Sequence, residues 1–200
     1  MNAIVLLLPA GPGNPRNSEG AFVTLRDGRI LFAWSRYTGA DWADHARADL
    51  AASVSADGGL TWGPPRIIVP NEGRCNVMSV SLLRLHDGRI ALFYVQKNSA
   101  LDCRLRVRFS SDEAETWSDS VLCQPARGYF VTHNDRVVQL RDSRLLVASA
   151  FHRAESTDGD IVSGITMRAE ACFFYSDDGV TWRERPQRLH MDPAITAGLQ

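Results

Sequence analysis

The amino-acid sequence predicts an all-β fold, and within that class a β-propeller, because one unit recurs three times. Each unit holds an apolar hairpin that turns at Asp-Gly or Asp-Ser, followed by a box of the form Ser-x-Asp-x-Gly-x-Thr-Trp. The box tryptophans, Trp62, Trp117 and Trp182, are 55 and 65 positions apart. Self-similarity at such a period is typical of propellers and solenoids. No stretch of the chain shows convincing helical periodicity.

The hairpin turns are the first element of each unit. They are Asp27-Gly28, Asp87-Gly88 and Asp142-Ser143. Asp-Gly between apolar, β-rich runs predicts a hairpin, because Gly tolerates the positive φ that a primed turn needs. The flanking runs are Gly20–Leu25 and Arg29–Arg36, Ser79–Leu85 and Arg89–Val95, and Arg136–Leu140 and Arg144–Phe151. Serine in the third turn weakens that turn but leaves the pattern intact.

Two further strands per unit follow from the apolar runs on either side of the box. The third runs are Asp49–Ser55, Leu105–Ser110 and Ala169–Tyr175, and the fourth runs are Arg66–Val69, Ser118–Cys123 and Trp182–Arg185. Four consecutive antiparallel strands form the blade of a propeller. The sequence therefore predicts about three four-stranded blades, over residues 20–70, 76–124 and 132–188.

The boxes are interpreted as structural. They consist of Ser55, Asp57, Gly59, Thr61 and Trp62; of Ser110, Asp112, Ala114, Thr116 and Trp117; and of Tyr175, Asp177, Gly179, Thr181 and Trp182, where Tyr replaces Ser. The Asp can accept hydrogen bonds from the backbone of its own turn, the Gly supplies a left-handed position, and the Trp fills space against a neighbouring strand. Sugar stacking or catalysis is the alternative, but a residue present in every blade cannot mark one unique site.

Composition limits the classes of function. The 200 residues include 22 basic and 23 acidic side chains, for a net charge of −1, and 44% of them are hydrophobic. This balance argues against binding to nucleic acid or a membrane surface through bulk charge. The four cysteines, Cys75, Cys103, Cys123 and Cys172, have no Cys-x-x-Cys spacing. We therefore expect reduced, buried thiols and no metal site.

The sequence also predicts the structure of both ends of the chain. The apolar run Ala3–Leu8 is too short for a signal sequence or a membrane span. We expect it to form a buried strand, with residues 1–19 supplying a ring-closing strand and a site loop, in a cytoplasmic protein. Three blades do not close a ring, so we expect residues 189–200 to start a fourth blade of a longer propeller. Raw blade faces would favour self-association, although the oligomeric state is left open.

The boxes are of the type called Asp boxes or BNR repeats. Together with Arg16-Asn17-Ser18-Glu19-Gly20 and the Asp44-His45 loop, they make the chain resemble the bacterial sialidase (neuraminidase) superfamily over essentially its whole length. The resemblance implies a six-bladed β-propeller in the complete protein and a glycan substrate, with no cofactor. It also implies a site at the axial mouth, where an Arg triad binds the substrate carboxylate, an Asp acts as acid/base, and a Tyr assisted by a Glu is the nucleophile.

Two residues match that set by position. Arg16 lies twelve residues before Gly28 and is the candidate for the first triad Arg, although its local motif is Pro-Arg-Asn-Ser and not Arg-Ile-Pro. Asp44 lies eleven residues before Ser55 and is the candidate acid/base, with Asp41 as a rival in the same loop. A general acid there must be kept neutral by burial or by a nearby carboxylate. The remaining triad residues, the Glu and the Tyr come from later blades and have no counterpart here.

The repeat alignment adds further candidates for binding the substrate. Before the first strands stand Glu19, Asn76, Ser79, Asn134 and Asp135, and the second strands end at Arg36, Lys97 and His152. A structural role for His152 is as well supported as a ligand contact. The alternating Arg104, Arg106 and Arg108 are interpreted as a solvated or paired strand face.

Three functions remain open at this point. The first is a sialidase-like exo-glycosidase in which Asp44 protonates the departing oxygen and Arg16 holds an acidic group. The second is a related propeller enzyme, a hydrolase or lyase, that acts on another sugar. The third is a non-catalytic Asp-box module that binds glycans or protein.

Overall fold

The computed structural model describes residues 4–154 and 164–190, and these residues form strands and loops without a helix. The all-β prediction is confirmed. The strands are β1 Asn17–Thr24, β2 Ile30–Tyr37, β3 Ala48–Ser55, β4 Arg66–Val69, β5 Asn76–Arg84, β6 Ile90–Ser99, β7 Asp102–Ser110, β8 Val121–Leu122, β9 Tyr129–Val131, β10 Val137–Gln139, β11 Leu145–Ala154, β12 Ile165–Ser176 and β13 Trp182–Glu184.

The strands form three successive antiparallel meanders, as expected of part of a propeller. Blade one is the sheet β1-β2-β3-β4, and blade two contains β5, β6, β7 and β8. In blade three the first strand is split into β9 and β10, which both pair with β11, and β12 and β13 follow. One parallel pair, Cys103 with Tyr129, joins blades two and three into a single sheet.

The hairpin turns recur in all three blades, but they are not primed turns. In the first, Gly28 N–H donates to the Leu25 carbonyl at 3.0 Å and Leu25 N–H to the Arg29 carbonyl at 2.8 Å. Only the third loop residue is left-handed, with φ of 87° at Gly28, 89° at Gly88 and 69° at Ser143. This is a three-residue loop that ends in a left-handed residue, and the third turn keeps it without glycine.

The structural role of the boxes agrees with their hydrogen bonds. The Ser55 hydroxyl donates to Asp57 at 2.8 Å and accepts from the N–H of Gly59 at 2.8 Å. Asp57 accepts from the backbone and the hydroxyl of Thr61 at 2.8 and 2.6 Å. These local bonds lower the pKa of Asp57 to about 2, with the Thr61 hydroxyl as the largest cause. The carboxylate is therefore committed to its own turn.

The third box differs from the sequence alignment. Ser176, and not Tyr175, fills the serine position: its hydroxyl bonds Asp178 at 3.0 Å and accepts from Gly179 N–H at 2.8 Å. Asp178, and not Asp177, accepts the backbone N–H of Thr181 at 2.6 Å. The alignment was wrong because this box is one residue shorter between its Asp and its Gly, and a hydroxyl is needed at the strand end.

A carboxylate in the second box fastens blade one to blade two. Glu113, itself left-handed with φ of 59°, accepts two bonds of 2.6 Å from the Arg84 guanidinium. It also accepts the backbone N–H of Arg26, in the first hairpin, at 2.8 Å. Beside it, the Ala114 carbonyl accepts Arg66 of blade one at 2.5 Å. The arrangement holds the hairpin of blade one against the box of blade two.

Two expectations about the chain ends are corrected. Residues 4–10 form no strand, and Ile4 and Leu7 are 83% and 72% exposed. The run therefore forms no buried strand against any described strand, whereas ring closure onto a last blade stays a prediction. Leu189 exchanges two backbone bonds of 2.9 Å with Ala171 and so extends the edge of blade three. The rest of the expected fourth blade, residues 191–200, lies outside the described residues.

The cysteines are free, with Cys103, Cys123 and Cys172 buried and Cys75 half-buried. In the part of the chain that the structure describes, no three His, Cys, Asp or Glu side chains are grouped to hold a metal ion. No helix long and apolar enough to cross a membrane occurs there either.

Replacing Glu113 by Ala should lower the free energy of unfolding by about 1.5–3 kcal/mol, the usual size for hydrogen bonds to a charged group. The Arg84 guanidinium is the main cause that lowers the pKa of Glu113 to about 2. A lowered folded-state pKa stabilises the fold above the unfolded value and is lost as pH falls toward the folded value. The stability contributed by Glu113 should thus disappear between about pH 4.5 and pH 2.

Urea unfolding of the two proteins across this pH range measures the effect. The matched control is Glu115→Ala, since Glu115 is 62% exposed and lies 3.9 Å from Arg66. Equal losses in the two variants would contradict the role of Glu113.

Candidate functional site

The first strands of the three blades share a strained backbone position. Glu19, Ser79 and Asp135 have φ of 55°, 59° and 56°. Glu19 and Ser79 lie within interruptions of strand register, and Asp135 lies between β9 and β10. Ser79 N–H donates to Ser35 at 3.1 Å, and Asp135 N–H donates to Ser81 at 2.7 Å, each bond reaching the preceding blade. Left-handed non-glycine residues concentrate at functional sites, so this end of the strands is where a site is expected.

Arg16 and Asp44, the two candidates taken from the resemblance, meet at this end. Arg16 Nη1 lies 2.5 Å from Asp44 Oδ1, with the side chains 27% and 62% exposed. The guanidinium also stacks 4.5 Å above the ring of Tyr37, and its Nε donates to the Ser18 hydroxyl at 3.2 Å. Arg16 is therefore fixed in place, while Asp44 remains open to solvent and to a ligand.

Blade two holds the Asp44 loop through its backbone. Lys97 Nζ donates to the Asp44 carbonyl at 2.9 Å. Asn76 Nδ2 donates to the same carbonyl at 2.8 Å and to the carbonyl of Ala46 at 2.8 Å. Lys97 is 4% exposed and Asn76 is fully buried. Asn76 and Lys97 therefore position the Asp44 loop through its backbone, and their binding of substrate stays a prediction.

Glu19 lies beside the pair and is more buried. Burial raises the pKa of the Glu19 carboxyl, the charge of Arg16 opposes this and Asp44 reinforces it, so the pKa is raised overall. The Ser35 hydroxyl donates to Glu19 at 3.3 Å. Asn134 reaches the same place, since its Nδ2 donates to the Gly20 carbonyl at 3.5 Å. The structure thus brings two more predicted residues to the mouth.

The other predicted residues are placed differently. Asp41 accepts the backbone N–H of Ala43 at 3.0 Å, which makes it a turn former. Arg36 alternates with Ser35 and Tyr37 along β2 and so lies on the opposite face of the blade. Asp135 is exposed and its bond to blade two is made by its backbone.

His152 lines a different cavity from Asp44, and Tyr129 lines both. Its Nδ1 is 2.8 Å from the Thr166 carbonyl, and its ring meets that of Tyr129 edge-on at 6.1 Å. Tyr129 also lies under Lys97, whose Nζ is 5.8 Å from the ring centroid. It therefore connects the Asp44 side of the mouth to the His152 side.

Sequence reasoning missed Tyr37, Tyr129 and His133. The pKa of both tyrosines is raised, mainly by burial, so each keeps its proton. Tyr129 and His133 line a cavity of about 80 Å³ together with Glu19, Asp44 and Lys97. A signal for Tyr37 was present in its place at the end of the second strand, next to Arg36, whereas Tyr129 has no aromatic counterpart in the other repeats.

Asp44 is a carboxylate in this arrangement. Burial raises the pKa of Asp44. The hydrogen bond from Arg16 and the charges of Lys97 and Arg16 lower it by more than burial raises it, so the overall shift is downward. A general acid must be neutral when it acts, so that role for Asp44 stays a prediction about the site with substrate bound. Asp44 can serve as a base or an anion partner as it stands, and it can become an acid only after its hold on Arg16 is relaxed.

Comparison with known proteins identifies the repeats as those of a known family. The family model described as BNR repeat-like domain matches residues 51–197. This chain belongs to the BNR repeat-like family. A sialidase from Paraclostridium sordellii is 32% identical to this chain in an alignment of 114 positions that covers 49% of this chain and 28% of that protein. The chain thus spans about a quarter of the length of this curated relative.

Solved structures agree on the fold. A Hadza microbial sialidase has a TM-score of 0.63 at 19% identity, over 86% of this chain and 38% of its own. The NanB sialidase from Streptococcus pneumoniae has a TM-score of 0.61 at 12% identity, over 95% and 46%. An endo-arabinase from Bacteroides thetaiotaomicron has a TM-score of 0.62 at 13% identity, over 94% and 67%. At these identities the likeness shows the propeller fold of the BNR family.

Replacing Arg16 by Gln should raise the pKa of Asp44, because the variant loses the hydrogen bond and the charge that stabilise the carboxylate. An NMR titration of the Asp44 carboxyl carbon measures this directly. Arg47→Gln, an exposed position in the same loop, is the matched control and should leave the pKa of Asp44 in place. An unchanged pKa in the Arg16 variant would show that the ion pair does not control Asp44.

Proposed function

We propose that this chain supplies the acid/base and carboxylate-binding part of a sialidase-like exo-glycosidase, which hydrolyses a terminal acidic sugar from glycans. The observation that carries the proposal is the contact between Arg16 and Asp44 at the mouth of the blades. The guanidinium of Arg16 and the exposed carboxylate of Asp44 are close enough for one sugar to contact both. Membership of the BNR family and the sialidase relative support the same class of substrate.

Arg16 would hold the acidic group of the sugar. A guanidinium binds a carboxylate through two parallel hydrogen bonds, and Arg16 is preorganised by Tyr37 and Ser18. Its present partner is the Asp44 carboxylate, so the acidic group of the sugar competes with Asp44 for the same donors. Binding of substrate is therefore coupled to the state of Asp44.

Asp44 would then move the proton. When Arg16 turns to the substrate, Asp44 loses the contact that lowers its pKa and gains a second negative charge nearby, and both effects favour its protonated form. Protonated Asp44 donates its proton to the glycosidic oxygen as the bond between that oxygen and the anomeric carbon breaks, and the resulting carboxylate later takes a proton from the water whose oxygen bonds to the anomeric carbon. Lys97 and Asn76 keep its backbone fixed during both steps. Proton transfer of this kind contributes about 10²–10⁴-fold to the rate.

A second function, binding of glycans without turnover, is favoured by one observation. Asp44 is ion-paired and its pKa is lowered, which suits an anion that only orients Arg16. In that case the acidic sugar would displace Asp44 from Arg16, bind there, and later dissociate without being hydrolysed.

The replacement Asp44→Asn in the full-length protein separates the two functions. For a glycosidase, turnover of an aryl sialoside should fall by about 10²–10⁴-fold, the usual contribution of a general acid/base. Binding of free N-acetylneuraminate, measured by calorimetry, should persist because Arg16 is intact. The control is Asp41→Asn, which keeps an oxygen for the Ala43 N–H and should retain activity.

Unchanged turnover in the Asp44 variant would remove Asp44 from the mechanism. Saturable binding without turnover by the unsubstituted protein would establish the second function in place of the first. Loss of binding in Arg16→Gln is expected for both functions and tests the anion site alone.

A further inference from the structure

A second, larger cavity adjoins the candidate site on the far side of Tyr129. It has a volume of about 530 Å³ and lies between the β6–β7 turn of blade two and the start of blade three. Its lining includes Leu101, Arg127, Tyr129, Phe151, His152 and Arg188. Because Tyr129 also lines the small cavity with Asp44 and Lys97, the two spaces share a wall. A ligand that extends from Asp44 past Tyr129 would enter this cavity.

The floor of the cavity is apolar and rigid. Phe151 packs on Phe130 with ring centroids 5.1 Å apart, and the Arg188 guanidinium lies 4.3 Å from the Phe151 centroid. Leu101 is 45% exposed at the rim. Because Arg188 covers one face of the Phe151 ring, a sugar ring would contact the rest of this apolar surface, including Leu101 at the rim.

The charged groups around the floor leave a positive excess. Arg188 is paired with Glu170 at 3.0 Å and with Glu184 at 2.8 Å, and Arg153 is paired with Glu170 at 2.7 Å. Two arginines are therefore balanced by two glutamates. The third arginine of the lining, Arg127, is exposed and forms no ion pair within the described residues.

Asp102 interacts electrostatically with Arg127, but its carboxylate already has other partners. It accepts hydrogen bonds from Arg104 at 2.6 Å and from Asn98 at 3.2 Å. Arg127 thus offers an accessible guanidinium beside an apolar floor. A guanidinium in this position suits a carboxylate or a sulfate, which it can bind through two hydrogen bonds.

We propose that this cavity is a subsite for a second anionic sugar, one bearing a carboxylate or a sulfate, with Arg127 as the residue that binds the anion. The idea that this sugar belongs to the same glycan as the one at Asp44 rests on the proposed function; binding of the anionic sugar does not. The substrate class is then an acidic oligosaccharide with charge on two residues and not a glycan with a single terminal acid.

His152 adds a polar contact to the subsite. Its Nδ1 donates to the Thr166 carbonyl at 2.8 Å, since a carbonyl oxygen only accepts. The second ring nitrogen, Nε2, is then the His152 atom left to meet a sugar hydroxyl. A hydroxyl contact beside the guanidinium of Arg127 favours an acidic sugar over a neutral sugar or a free inorganic ion.

The test is NMR titration of the 200-residue chain with methyl glucuronide and galactose 6-sulfate, with methyl galactoside and inorganic sulfate as reference probes. The anionic sugars should bind saturably, shift resonances of Tyr129 and His152, and weaken with added salt. Arg127→Gln should raise their dissociation constants by about tenfold, the size of one charge-assisted hydrogen bond. Arg141→Gln, an exposed hairpin arginine of blade three, is the matched control and should change nothing.

The outcomes separate this proposal from the function proposed above. Occupation of this subsite is read from the resonances of His152 and from their response in the Arg127 variant, whereas a probe bound at Arg16 would shift the resonances of Tyr37 and be unaffected by Arg127→Gln. No binding of these probes, or equal binding by methyl galactoside, would overturn the subsite. So would an Arg127→Gln dissociation constant that matches the unsubstituted chain.

Discussion

The candidate site depends on the hydrogen bonds that blade two donates to the backbone carbonyl of Asp44. Lys97 and Asn76 are buried, and both donate to one carbonyl oxygen of a loop that belongs to blade one. A buried ammonium and a buried amide are costly unless their donors are satisfied, so each blade needs the other in register. The same register sets Tyr129 beside Lys97 and places Arg16 within reach of the Asp44 carboxylate. The contacts that pack the blades together thus also determine the geometry of the site.

Much of the fold could be predicted because its determinants are local. Asp27-Gly28 and its two counterparts each close a loop of a few residues, and the Ser and Asp of each box bond within their own turn. Errors arose where a local pattern fits more than one register. Tyr175 was taken for the box position that Ser176 occupies, since a one-residue deletion is invisible in the composition of the box. The apolar run Ala3–Leu8 was taken for a buried strand, although burial requires a partner sheet.

The site was predictable only in part. The positions of Arg16 and Asp44 along the repeat put both at the same end of blade one, where the structure has them in contact, and their roles stay predictions. The roles of Asn76 and Lys97 could not be deduced, since they depend on which backbone groups a neighbouring blade presents. The lowered pKa of Asp44 has the same origin: the sequence shows that a carboxylate is present, but the balance between burial and the guanidinium of Arg16 exists only in the folded chain.

The central claim is that an acidic sugar and Asp44 compete for Arg16, and that this competition turns a resting carboxylate into a proton donor. The most direct measurement is the pKa of Asp44, by NMR of its carboxyl carbon, in the free protein and in the protein saturated with a non-hydrolysable sialoside. The account predicts a pKa below the usual value in the free protein and a clear rise on binding. A pKa that stays low when the sialoside is bound would contradict it.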